Sequence, residues 1–208
     1  QKKSEADHSM LFVLIVLLLV ASVFVLLMKK NRESLCLLGM CCSLMVQFSG
    51  ILIFIAKKGG YSRSIINFLF FSQALRNKLQ YLFITLDALG YIIAVGRYLF
   101  PLFLLESALQ YSMIGWIRRH PGIQKWICVL PAATLAVYFP PVFRFIVNRW
   151  PVMHSVLVEG SYWWITAYVA VALVLMIQEL FAITMRFCRK QFVGIVGCHL
   201  ALSGLYLL

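Results

Sequence analysis

Residues 10–28 are nineteen positions without a charge, closed by Lys29, Lys30 and Arg32. At about 1.5 Å rise per residue, such a run is long enough as a helix to cross the hydrocarbon core of a bilayer. Its length and basic ending argue against a signal peptide, which needs small residues at a cleavage site. Several further apolar runs follow. Of the 208 residues, 62% are apolar and 12% charged. That is too little polar surface to cover a soluble core, so lipid must be the covering medium.

The net charge is +12. The basic residues gather at the ends of apolar runs, where they anchor helices and meet anionic headgroups. This placement argues for the lipid bilayer as partner and against nucleic acid. The six cysteines fall in or beside apolar runs without a C-x-x-C pair. They read as small buried side chains, not as a metal site or disulfide framework. No cofactor is indicated.

The pattern predicts an all-α, polytopic transmembrane helix bundle forming one domain. It has about six membrane helices (five to seven) and one amphipathic interfacial helix. The spans are expected at residues 10–28, 35–56, 81–116, 126–147, 161–185 and 192–208. Residues 61–80 alternate Ile65, Phe68, Phe71, Leu75 and Leu79 with polar positions at helical spacing, which suits the interface. The short link after residue 28 makes the first two spans an antiparallel hairpin. Residues 81–116 are too long for a single crossing. One long helix kinked at Pro101 is favoured over two short spans, for which Gly96 is the only good turn residue. Pro131 should bend the next span, and Pro140-Pro141 should break its far end. Residues 148–160 read as a connector, and Tyr162-Trp163-Trp164 as an interfacial aromatic belt. Gly90/Ala94 and Ala132/Ala136 have the spacing that lets helices pack closely. Arg118-Arg119 and residues 186–190 are expected in the cytoplasm. The chain begins at Gln1 and stops inside an apolar run, so it is expected to be a piece of a longer protein.

Ionisable groups at membrane depth are costly and often mark function. Asp87, Arg97 and Glu106 lie in the long apolar stretch. Nine residues put Arg97 and Glu106 on opposite helical faces, so each needs a partner on another helix. Pro101 lies between them as a bistable element. Glu179 and Arg186, seven apart, would share a face near a cytoplasmic mouth. Asp87, Arg97, Pro101, Glu106, Glu179 and Arg186 are therefore the candidates for ligand or signal coupling. His199 reads as a structural, hydrogen-bonded histidine. No protease, hydrolase, P-loop or kinase signature is present, and no catalytic residue is assigned.

Residues 49–60 (SGILIFIAKKGG), 90–101 (GYIIAVGRYLFP) and 183–192 (ITMRFCRKQF) carry a resemblance. They resemble the multi-span N-terminal region of Gram-positive-type bacterial sensor histidine kinases. The resemblance implies signal detection in the bacterial plasma membrane and a kinase domain beyond residue 208. It also implies a homodimer and a response regulator as partner. The alternatives are a small transporter or permease subunit, which would show broken helices and a polar path, and a lipid-acting membrane enzyme.

Overall fold

The computed structural model describes residues 2–27, 32–58, 85–111, 122–182 and 186–207. Among them every regular element is a helix. In chain order these are α1 (Lys2–Leu27), α2 (Arg32–Lys58), α3 (Leu86–Tyr111), α4 (Ile123–Tyr138), α5 (Pro140–Arg149), α6 (Pro151–Ala182) and α7 (Arg186–Leu207). The amphipathic helix expected over 61–80 and the basic pair Arg118-Arg119 lie outside the described residues.

Three helices are long and apolar enough to cross a membrane: Ser34–Phe54, Leu86–Tyr111 and Pro151–Ala182. The bent pair Lys125–Tyr138 and Pro140–Arg149 makes a fourth if it counts as one span. Among the described residues the count is thus three or four, not six. The apolar parts Val13–Leu27 and Phe192–Tyr206 are shorter than those three helices. Large apolar side chains point outward from several helices. Phe24 is 65% exposed, Trp126 and Trp163 are each 76% exposed, and Phe181 is 75% exposed. Apolar exposure on this scale marks a surface that lipid covers.

α1 packs along α2. The four residues between them can reach only about 18 Å, so the two helices must run antiparallel. Around this hairpin the core centres on α3, which packs against α2, α4, α5, α6 and α7. Its start is set locally. Thr85 Oγ1 accepts from the N–H of Ala88 at 3.3 Å, and Asp87 in the first turn complements the helix dipole. Phe100, Leu104 and Ala108, one turn apart in succession, are fully buried.

Close approach of α2 and α3 depends on glycine. A Cβ on Gly96 would lie 2.5 Å from the carbonyl oxygen of Ser43 and 2.7 Å from the backbone nitrogen of Gln47. Gly96 is therefore a helix contact, not a turn residue. The Gly90/Ala94 pair does not serve this purpose, because a Cβ on Gly90 would meet open space. Ala132 and Ala136 are exposed.

Both internal prolines sit in unbroken helices, Pro101 in α3 and Pro131 in α4. A proline lacks the N–H that would bond the carbonyl four residues back. The freed carbonyls are those of Arg97 and Ile127. Tyr206 on α7 donates its hydroxyl to the Arg97 carbonyl at 3.0 Å. Tyr168 on α6 donates to the Ile127 carbonyl at 2.9 Å. Each lost intrahelical bond is thus replaced from a neighbouring helix, as an apolar medium requires. At Pro140-Pro141 the expected break occurs. Phe139 is extended (φ −56°, ψ 127°), as a residue before proline tends to be, and α5 leaves α4 at 73°. Residues 151–160, expected as a connector, instead form the first turns of α6. Pro151 opens that helix as its first residue, where its missing N–H costs nothing.

Two outcomes follow from this packing. Tyr206→Phe should lower stability by about 1 kcal/mol in detergent, but by much less in a Pro101→Ala background, whose new N–H supplies the Arg97 carbonyl. A thermal-unfolding double-mutant cycle reads the coupling, and strictly additive effects would refute the role given to Tyr206. Gly96→Ala should cost roughly 1–3 kcal/mol or more through backbone overlap with α2, seen as a lower midpoint of heat-induced aggregation.

Candidate functional site

α3, α5 and α6, with the end of α4, enclose a cleft of about 370 Å³. Its floor is three turns of α3, from Leu86 and Asp87 through Gly90, Tyr91, Ile93 and Ala94 to Arg97 and Tyr98. The small side of Gly90 and Ala94 leaves the space that larger residues would fill. Phe143 and Arg144 of α5 form one wall, and Val158, Ser161 and Tyr162 of α6 the other. The packing around it is aromatic. Tyr91 meets Phe139 edge-on at 5.7 Å, and Tyr98 lies 5.3 Å from Tyr138 and 5.6 Å from Trp164 between ring centres. The hydroxyl of Tyr138 is buried and makes no hydrogen bond of ordinary geometry.

Charge enters the cleft at two levels. Asp87, at the α3 N-terminus, pairs with Arg144 of α5. Both side chains are largely open, at 48% and 69% exposure. Ten residues further along α3, about 15 Å deeper, the Arg97 guanidinium lies over the Tyr162 ring at 4.5 Å. A cation over an aromatic face is attracted by the ring quadrupole. Arg97 is thus held to α6 through its side chain and to α7 through its carbonyl.

The other candidates separate from this cleft. Glu106 pairs with Arg32 of α2 at 3.5 Å. The expectation that Arg97 and Glu106 need partners on other helices therefore matches what both do. Pro101 is buried one turn below Arg97 and acts on it through the freed carbonyl. Glu179 is buried on α6, at 5% exposure, and does not line the cleft. Arg186 opens α7, whereas α6 ends at Ala182. Residues 183–185 between them lie outside the described residues, and with them the face that Glu179 and Arg186 were expected to share.

A second polar cluster joins α3 to α7. His199 Nδ1 lies 2.8 Å from the Ile195 carbonyl, which can only accept, so that nitrogen carries the proton. In the neutral ring Nε2 then accepts from the Ser107 hydroxyl at 2.9 Å. This is the tautomer a general base would need. Yet Ser107 and His199 are 1% and 3% exposed, and neither lines the cleft. It works as a polar clamp, matching the structural reading of His199.

The sequence had not singled out Arg144, and it had read Tyr162 only as an interfacial residue. The available signal for Arg144 was its place on a helix restarted by Pro140-Pro141, which swings it out of line with α4. Comparisons of the chain with protein-family models, with curated proteins and with solved structures found no match.

A clamp and a nucleophile can be told apart by chemistry. A fluorophosphonate probe applied to the protein in its native membrane should leave Ser107 unmodified by peptide mass analysis. Labelling at Ser107 that is lost in His199→Ala would reverse the assignment.

Proposed function

We propose that this chain is the membrane-embedded signal-input region of a bacterial two-component sensor histidine kinase, in the plasma membrane, with the α3/α5/α6 cleft as its sensing site. The observation that carries the proposal is the way α5 is held. This ten-residue helix departs from α4 at 73°, and one open ion pair, Asp87–Arg144, ties it to α3. Exposed ion pairs contribute only about 0–1 kcal/mol. α5 also packs on α6 and sets Phe143 against Tyr138 and His154, so a ligand that replaces the ion pair and bears on Phe143 would supply the differential affinity that shifts the helix. The cleft is where such a ligand would touch α3, α5 and α6 together.

Depth supports the same reading. Asp87 and Glu106 stand 19 residues apart on α3, about 28 Å along its axis. That is close to the ~30 Å hydrocarbon core, so both ion pairs fall at interfaces, where charge is cheap. Arg97 falls near mid-depth, where charge is costly and usually functional. In this proposal α3 and α6 carry the shift to a kinase domain encoded after residue 208. That domain acts as a homodimer and phosphorylates a response regulator.

The permease reading keeps one specific support, the helix broken beside a charged cleft, which is the local architecture of many transporter sites.

In membrane vesicles of the full-length protein, Asp87→Asn and Arg144→Gln should each shift basal autophosphorylation in the same direction, by up to about fivefold. The double variant should shift it no further than either single one. Normal membrane levels with unchanged phosphate incorporation in both single variants would sink the proposal. A gene without a kinase domain past codon 208, together with solute uptake dependent on Arg97, would establish the permease instead.

A further inference from the structure

Resting on the reading of the cleft as the sensing site, we infer that its ligand is an amphipathic anion. A carboxylate or phosphate head is held by Arg97, and an apolar body lies along the wall opened by Gly90. The charge pattern selects the head. Among the described residues the acidic groups of α3 are already engaged, Asp87 by Arg144 and Glu106 by Arg32. Arg97 meets a tyrosine face instead of a carboxylate, which leaves the cleft one positive charge in excess. Stacking uses the face of a guanidinium, whereas its five N–H donors lie in the plane of the edge, more than the Tyr162 and Tyr206 hydroxyls beside them can engage. That edge matches two oxygens of a carboxylate or phosphate.

The remaining surface selects the body. Above Arg97 the floor and walls are mainly apolar, with Tyr91 and Phe143 facing space that a Cβ on Gly90 would not obstruct. A small hydrated anion would leave these surfaces uncovered. A volume of about 370 Å³ falls within the roughly 300–1,000 Å³ of small-molecule sites. The head must travel about 15 Å from the Asp87 end to Arg97, and it passes Arg144 on the way. The apolar body behind the head then lies against Phe143 of α5, which couples binding to the position of α5. Such a ligand is supplied either as a soluble amphipathic acid or as an anionic lipid of the surrounding bilayer.

The test uses the full-length protein in phosphatidylcholine nanodiscs, titrated calorimetrically with decanoate and with decyl phosphate. At least one acid should bind. Arg97→Gln should weaken it by about tenfold or more. Arg97→Lys, which keeps the charge but not the fork, should fall between. Gly90→Leu fills the cleft without touching Arg97 and should abolish binding, and Arg32→Gln at the other ion pair should leave it intact. In discs containing one third phosphatidylglycerol, suppressed decanoate binding identifies the lipid as the source, and unaltered binding identifies the soluble acid. Three results overturn the inference: no binding of either acid, equal affinity in a monodisperse Arg97→Gln protein, or decanol binding as tightly as decanoate. Because binding is read without phosphorylation, an acid that binds through Arg97 yet leaves phosphorylation unmoved refutes only the sensor role.

Discussion

A carbonyl without its hydrogen bond is tolerable at a wet surface and costly in hydrocarbon. That constraint shapes how these helices are joined. Pro101 and Pro131 each strip a partner from the carbonyl four residues back, and in each case a tyrosine from another helix restores it. Each proline thereby specifies a neighbour. Tyr206 fixes α7 against α3, where its ring also stacks on Phe100 at 4.6 Å. Tyr168 fixes α6 against α4. Several hydroxyls without such a task bond their own helix. Ser22, Ser43, Thr134 and Thr166 each donate to the carbonyl four residues back, which satisfies them without a partner and without water.

The same economy of polar groups explains where charge is placed on α3. Its two carboxylates lie at its two ends, each paired with an arginine from a different element. The charge between them has no carboxylate partner among the described residues and rests on an aromatic face. An ion pair deep in the bundle would lose most of its attraction to the desolvation of two charges. A guanidinium over a ring desolvates only one, and guanidinium is the more weakly hydrated cation. The open cleft beside it keeps that cost lower still.

Much of the fold was legible in the sequence because lipid imposes simple rules. Apolar length marked the helices, and Pro140-Pro141 marked the break. The nine-residue offset between Arg97 and Glu106 showed that neither could satisfy the other. What stayed hidden depended on a second element. Gly90 and Ala94 have the spacing of a packing motif, but among the described residues nothing packs closely on Gly90, and the pair floors a cleft. Gly96 looked like a turn residue until α2 lay against it. Residues 148–160 read as a connector because Trp150, Pro151, His154 and Glu159 are poor lipid-facing text. A helix that begins beyond the apolar layer carries such residues freely, and Pro151 is as good a first helical residue as it is a poor later one. The partner of Asp87 could not be read at all, because Arg144 reaches it only after the chain has turned by 73°.

Arg97 is the point where these threads meet, and its two attachments act at different atoms. Its carbonyl is committed to α7 by Pro101 and Tyr206. Its guanidinium rests on the Tyr162 face, a contact of about 0.5–2 kcal/mol, and meets the Tyr162 and Tyr206 hydroxyls. A ligand that takes hold of the guanidinium edge therefore acts on the softer attachment. In the proposed sensor, such a ligand would bear on the contact between α3 and α6. Differential affinity of a few kcal/mol suffices to invert such a balance. The proline that looked like a hinge is better understood as an anchor. Through Tyr206 it ties α3 to α7.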